Sequence, residues 1–113
     1  MVFAKRVYDQ WNERDGYRVL VDRLWPRGIK KNALVYDRWL KDVAPSAALR
    51  KALHAKTLDF ATFARQYHQE IAGGTALKEL IALASASNLT LLTAAHLEVD
   101  NHITVLLTLL NTG

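Results

Sequence analysis

The chain has 113 residues, half of them hydrophobic, with no cysteine and with 15 Lys and Arg against 11 Asp and Glu, for a net charge of +4. That is enough for one hydrophobic core and too little for two, so residues 1–113 read as a single domain. The missing cysteine excludes disulfides, thiolate catalysis and sulfur-ligated zinc. No uncharged apolar run is long enough for a membrane span or a signal peptide, so a soluble cytoplasmic protein without a membrane partner is expected.

Val2 to Tyr8 has the β-branched and aromatic content of a first strand, and Asp15-Gly16 is the expected turn after it. A connection from Asp9 to Gly16 is short for a helical crossover, which predicts that strands one and two are antiparallel neighbours. Val19-Leu20-Val21 is a run of three apolar residues, as in a strand covered on both faces, and it ends abruptly in Asp22-Arg23-Leu24-Trp25-Pro26-Arg27-Gly28. Beyond Gly28, the spacing of Leu34 or Tyr36, Trp39, Leu40 and Val43 predicts a short helix ended by Pro45.

Ser46 is the expected N-cap of a helix over 47–55, with Leu49 and Leu53 buried and Arg50 and Lys51 outside. Asp59 caps the clearest amphipathic helix, with a stripe of Phe60, Phe63, Ala64, Tyr67 and Ile71 closed by Gly73-Gly74. A further helix opens at Thr75 with Leu77, Leu80, Ile81 and Ala84 inward. Leu89 to Ala95 then reads as a buried strand, and Asp100 as the cap of a last helix carrying Ile103, Leu106, Leu107 and Leu110.

Residues 1–31 hold eight basic and four acidic side chains, so the whole net charge falls there, while the rest of the chain holds seven of each. A positive field confined to one segment favours an anionic ligand. Asp22, Arg23 and Arg27 follow the second strand; His96, Asn101 and His102 follow the last. The helical stretch between these strands permits a right-handed parallel crossover, which would bring both polar clusters to one sheet edge. There a guanidinium can hold phosphate or carboxylate through paired hydrogen bonds, and the start of the last helix adds backbone N–H groups.

Each residue also has a structural reading. Asp22 reads equally as fixing the loop by pairing with Arg23 or Arg27, Trp25 reads as a hydrophobic plug rather than a stacking platform, and His96 and His102 also read as hydrogen-bonded helix-start residues. His54 and His68 fall on helices as surface or core-edge residues. No metal site is expected, because Asp100-Asn101-His102 is one local cluster without a second set of ligands. A Gly-rich phosphate loop and a dinucleotide fingerprint are absent from the sequence.

The opening motif carries a resemblance. Lys5-Arg6-Val7-Tyr8-Asp9 and the run from Asp15 through Lys31 resemble the YeaO-like family of small bacterial proteins, the domain of unknown function family 488. The resemblance continues through Trp39, Pro45-Ser46, Leu49-Arg50, Phe63, Tyr67, Leu89-Thr90-Leu91-Leu92 and Asn101-His102. It implies an α/β domain whose signature regions are the two strand ends. The chain departs from the pattern after Leu92, where Thr93-Ala94-Ala95-His96 replaces an aromatic and lysine-containing segment, and it lacks the cysteine of more distant relatives.

The expectation is therefore an α/β protein with a small open sheet of about three strands, at least partly parallel and covered by helices. It would be a monomer or homodimer, without cofactor, binding a small anionic or phosphorylated ligand, a nucleotide included. Arg23 and Arg27 would grip the anion, Asp22 would orient them, and Asn101 and His102 would close the opposite wall. Whether the site turns over its ligand is open, with His96 or His102 as proton carrier. The alternative is a non-enzymatic nucleic-acid or protein-interaction module using the basic N-terminal segment.

Overall fold

A computed structural model describes residues 1–111. The chain forms β1 (Val2–Arg6), β2 (Tyr17–Leu20), β3 (Arg38–Trp39), α1 (Ala47–His54), α2 (Phe60–Ile71), α3 (Thr75–Ala86), β4 (Leu89–Thr93) and α4 (His102–Asn111). The fold is α/β, an open sheet in the order β1-β4-β2-β3 with every pair parallel. The C-terminal ends of all four strands therefore share one edge.

The predicted antiparallel pairing of the first two strands is overturned, because β4 lies between them and pairs with both. The connection after β1 returns along the sheet instead of forming a hairpin. Lys5 holds it in place, with Nζ donating to the Gln10 carbonyl at 2.6 Å and to Asp15 Oδ2 at 3.1 Å. Ten residues in extended form reach roughly 33 Å, well beyond the length of a five-residue strand, so no helix is needed to carry the chain back.

Alternation sorts the side chains onto two faces. Val2, Val19, Val21, Leu89 and Leu91 face the main core with Phe63, Tyr67, Leu80 and Leu106 of the helices. Leu20, Leu92 and Val7 face a second cluster with Leu34, against which Trp25, Ile29, Tyr36 and Trp39 pack. Trp25 is thus the plug of its own loop. Its Nε1 donates to the Ile29 carbonyl at 2.6 Å, and its ring meets Tyr36 and Trp39 edge-on, with centroids 5.5 Å away.

The same pairing overturns the helix predicted across Leu34 to Val43. Leu40 N–H donates to the Leu20 carbonyl at 2.9 Å and Asp37 N–H to the Arg18 carbonyl at 2.8 Å, so Arg38–Trp39 adds a strand to the sheet. Trp39 then sits with Leu20, while Arg38 points the other way to Glu79 of α3, its Nε 2.7 Å from Oε2. Strand pairing wins over a helical spacing that rested on four residues.

The helix caps follow the expected chemistry at Ser46, which accepts from Leu49 N–H at 3.2 Å, and at Asp59, which accepts from Thr62 N–H at 2.8 Å. Two details differ. Ile81 is exposed on α3, whereas Leu77 and Leu80 face inward. The cap of α4 is Asn101, not Asp100: its Oδ1 accepts from Ile103 N–H at 2.9 Å and its own N–H donates to Thr104 Oγ1 at 3.1 Å. No helix among the described residues is long and apolar enough to cross a membrane.

Candidate functional site

The polar residues at the C-terminal edge of the sheet are built around Asp22, the first residue beyond the buried run of β2. One carboxylate oxygen, Oδ1, accepts from the Thr93 hydroxyl at 2.7 Å and lies 3.0 Å from His102 Nε2; the other, Oδ2, accepts from Ala94 N–H at 2.8 Å. Thr93 ends β4 and His102 begins α4, so a single carboxylate ties together three elements. Thr93 Oγ1 also accepts from Ala95 N–H at 3.0 Å, which leaves its own hydrogen for Asp22. The Asp22 carbonyl accepts from Trp39 Nε1 at 2.7 Å.

Burial pushes the Asp22 carboxyl up, but the His102 ring, the Ala94 N–H and the Thr93 hydroxyl together outweigh it, and the group lies below the ordinary value of 3.8. An ionised carboxylate only accepts hydrogen bonds, so Nε2 of His102 carries the hydrogen. Nδ1 is then the ring atom left to accept a proton or, once protonated, to donate one, and it has no hydrogen bond among the described residues. Because the folded carboxyl is depressed, its contribution to stability is complete above the unfolded value. It is lost as pH falls through that value towards the folded one. Urea unfolding across pH 2–7 is expected to show this acid limb, and Asp22→Asn is expected to flatten it.

Arg23 does not pair with Asp22. Its Nε and one terminal nitrogen donate to the Pro45 and Ala44 carbonyls at 3.2 and 3.0 Å. The neighbouring Val43 carbonyl accepts from the Tyr67 hydroxyl, and burial raises the Tyr67 phenol further above its usual range, helped by the charges of Glu70 and Asp22. Arg23 and Tyr67 thus hold three successive carbonyls ahead of α1. Arg27 is exposed, and its guanidinium has no hydrogen bond or ion pair among the described residues; its carbonyl accepts from the Tyr8 hydroxyl at 3.4 Å.

The structure brings Asp22 and His102 into contact and leaves the other predicted residues in separate roles. Asn101 is turned into its cap, with Nδ2 donating to the His96 carbonyl at 2.9 Å, and His96 is exposed with Nδ1 3.4 Å from Glu98 Oε1. Two further residues, Thr93 and Arg6, take part in the cluster. Thr93 is a polar residue closing an apolar strand, a signal that was available. Arg6 donates through Nε and a terminal nitrogen to the Ala95 and Ala94 carbonyls at 3.0 and 2.6 Å and lies over the Tyr8 ring, 4.8 Å from its centre. Only the β1–β4 pairing places Arg6 there. Among the described residues no cluster of His, Cys, Asp and Glu is suited to hold a metal ion.

An all-parallel sheet with helices and a plugged loop around it, and a polar cluster at the carboxyl ends of its strands, defines a small open-sheet α/β protein. The chain belongs to the family described as "Inactive DUF488-N3 subclade", which it matches over residues 1–113. It is 50% identical over 104 residues to "Uncharacterized protein YeaO" of Escherichia coli (strain K12), a match covering 91% of this chain and 90% of that one. It is 43% identical over 110 residues to "Uncharacterized protein Rv3073c" of Mycobacterium tuberculosis (strain ATCC 25618 / H37Rv), covering 97% and 93% respectively. No solved structure gives a significant match. The YeaO-like membership expected from the opening motif therefore holds.

Proposed function

We propose that the protein binds a small anionic or phosphorylated ligand, a nucleotide included, at the C-terminal edge of its sheet, with Arg27 as the principal anion contact and Arg6 and Arg23 at its sides. The observation that carries this reading is the uncompensated charge of these three arginines. Arg18 and Arg38 are neutralised by Asp15 and Glu79. Arg6 and Arg23 are instead held by neutral carbonyls, which position the guanidinium without cancelling its charge. Asp22, beside Arg23 in the chain, is engaged by Thr93, Ala94 and His102, and Asp9 by the backbone N–H of Arg6. Asp22 then acts on the site by holding His102, and Asn101 by fixing the turn on which His102 sits. The description of the family as an inactive subclade favours binding over turnover.

Calorimetric titration with inorganic phosphate and with a nucleoside monophosphate tests this. Arg27→Ala is expected to weaken binding about 10–100-fold, the loss of one or two charge-assisted hydrogen bonds, with the thermal midpoint unchanged because the exposed guanidinium makes no hydrogen bond or ion pair among the described residues. Unchanged affinity, or lost stability with binding intact, would sink the reading. A steep fall of affinity with salt, in proportion to the phosphates contacted, would point instead to a polyanion held by the basic N-terminal segment.

A further inference from the structure

We infer that the protein pairs with a second copy of itself through β1, in an antiparallel twofold junction centred on Phe3 that makes one continuous sheet of the two. The argument starts from the phase of the β1–β4 ladder. At one end the Met1 carbonyl accepts from Leu89 N–H at 3.1 Å, and at the other Val7 N–H donates to the Thr93 carbonyl at 2.8 Å. Peptide groups alternate in direction along a strand, so Met1, Phe3, Lys5 and Val7 turn theirs to β4, and Val2, Ala4 and Arg6 turn theirs outward. β1 is an edge strand, with nothing paired beyond it among the described residues.

Arg6 is closed on that side. Its N–H donates to Asp9 Oδ2 at 2.9 Å and its carbonyl accepts from Asp9 N–H at 3.0 Å. Val2 and Ala4 have no outward partner among the described residues. These two open residues are symmetric about Phe3. An antiparallel copy with Phe3 opposite Phe3 sets Val2 against Ala4 and Ala4 against Val2, and every outward N–H and C=O of both finds a partner. A longer foreign strand would run into the Asp9 closure and leave groups unmatched. The open stretch thus fits its own copy best.

The side chains agree with that centre. Phe3 is 39% exposed at the middle of the edge, where the central pair is of the closer, non-hydrogen-bonded kind with Cβ atoms about 4.5–5.5 Å apart. On the other face of the strand, beside Val2 and Ala4, lies a groove in which Leu97 and Leu107 stand alongside the polar Asp100 and Thr108. Edge strands of monomers are usually blunted by shortness or charge. β3, the opposite edge, is two residues long and carries Arg38 tied to Glu79. On β1 the charged residues, Lys5 and Arg6, lie at the C-terminal end and are tied to Gln10, Asp15 and the Ala94 and Ala95 carbonyls, so Val2-Phe3-Ala4 is left as the unguarded stretch, and a twofold pairing is the closed solution for it.

Sedimentation of the full chain is expected to show a dimer at micromolar concentration that tightens with added salt, because each copy carries +4. Phe3→Glu, which sets two carboxylates on the axis, is expected to give a monomer with an unchanged circular-dichroism spectrum. Since the chain has no cysteine, Phe3→Cys is expected to form an intermolecular disulfide on mild oxidation far faster than Ala61→Cys on the exposed side of α2. If Phe3→Glu fails to fold, the cross-linking comparison decides. A monomeric wild-type chain, a dimer that survives in folded Phe3→Glu, or equal cross-linking at positions 3 and 61 would each overturn the inference.

Discussion

Gly16→Ala is expected to lower the thermal midpoint by roughly 10–20 °C, the consequence of about 2–5 kcal/mol lost from two separate causes. Gly16 has φ +67° and ψ −137°, a conformation essentially closed to residues with a Cβ. A Cβ there would also collide with the Asn88 carbonyl oxygen and stand 2.8 Å from the Asn88 carbonyl carbon and Cβ. The collision cannot be relieved locally, because that carbonyl accepts from Tyr17 N–H at 3.0 Å, the first bond of β2 to β4. Beside it the Thr90 hydroxyl donates to the Asp15 carbonyl at 2.7 Å. Moving Asn88 away therefore loosens the central strand pair. Thermal unfolding of the alanine variant, followed by circular dichroism, checks this; a midpoint within a few degrees of wild type would contradict it.

Asp22→Ala is expected to cost about 3–5 kcal/mol, since it strips three donors of a largely buried cluster of the acceptor they share. Thr93, Ala94 and His102 would each keep a donor facing the vacated space, and each unmatched donor carries a desolvation cost. Asp22→Asn should cost less but not nothing. With the amide oxygen towards Thr93 and His102, its NH2 faces Ala94 N–H; reversed, it faces the Thr93 and His102 donors. The order of stabilities, wild type above asparagine above alanine, follows from this geometry. Urea unfolding at pH 7 measures it, and equal stability of the three would refute the cluster as a structural joint.

Local chemistry made much of this legible. The Ser46 and Asp59 caps, the stripe Phe60-Phe63-Tyr67-Ile71 and the apolar run of β4 are decided by neighbours within a turn or two of helix or along one strand, and they fold as their spacing indicates. Asp15-Gly16 reads as a turn, while the positive φ of Gly16 and its approach to Asn88 explain why no other residue serves. The segment 34–43 misled because four apolar residues fit a helical period while two of them also fit a strand edge. The free carbonyls and N–H groups of β2 settled the choice.

The site divides in the same way. The uneven charge and the motif from Asp22 to Gly28 can be read directly, as can the convergence of two strand ends once both strands are parallel. The partners cannot. Asp22 meets His102 across 80 residues of chain and Arg6 meets Ala94 across 88, and no local rule links such positions. By itself the sequence determined that this is a cysteine-free α/β protein with its positive charge in residues 1–31 and its helices where their caps stand. Only the tertiary structure decided that β4 inserts between β1 and β2, that Asp22 is spent on His102 rather than on the arginines, and that β1 keeps an open edge. Those outcomes depend on which buried polar groups can satisfy one another, a matter of the whole packed arrangement rather than of any stretch within it.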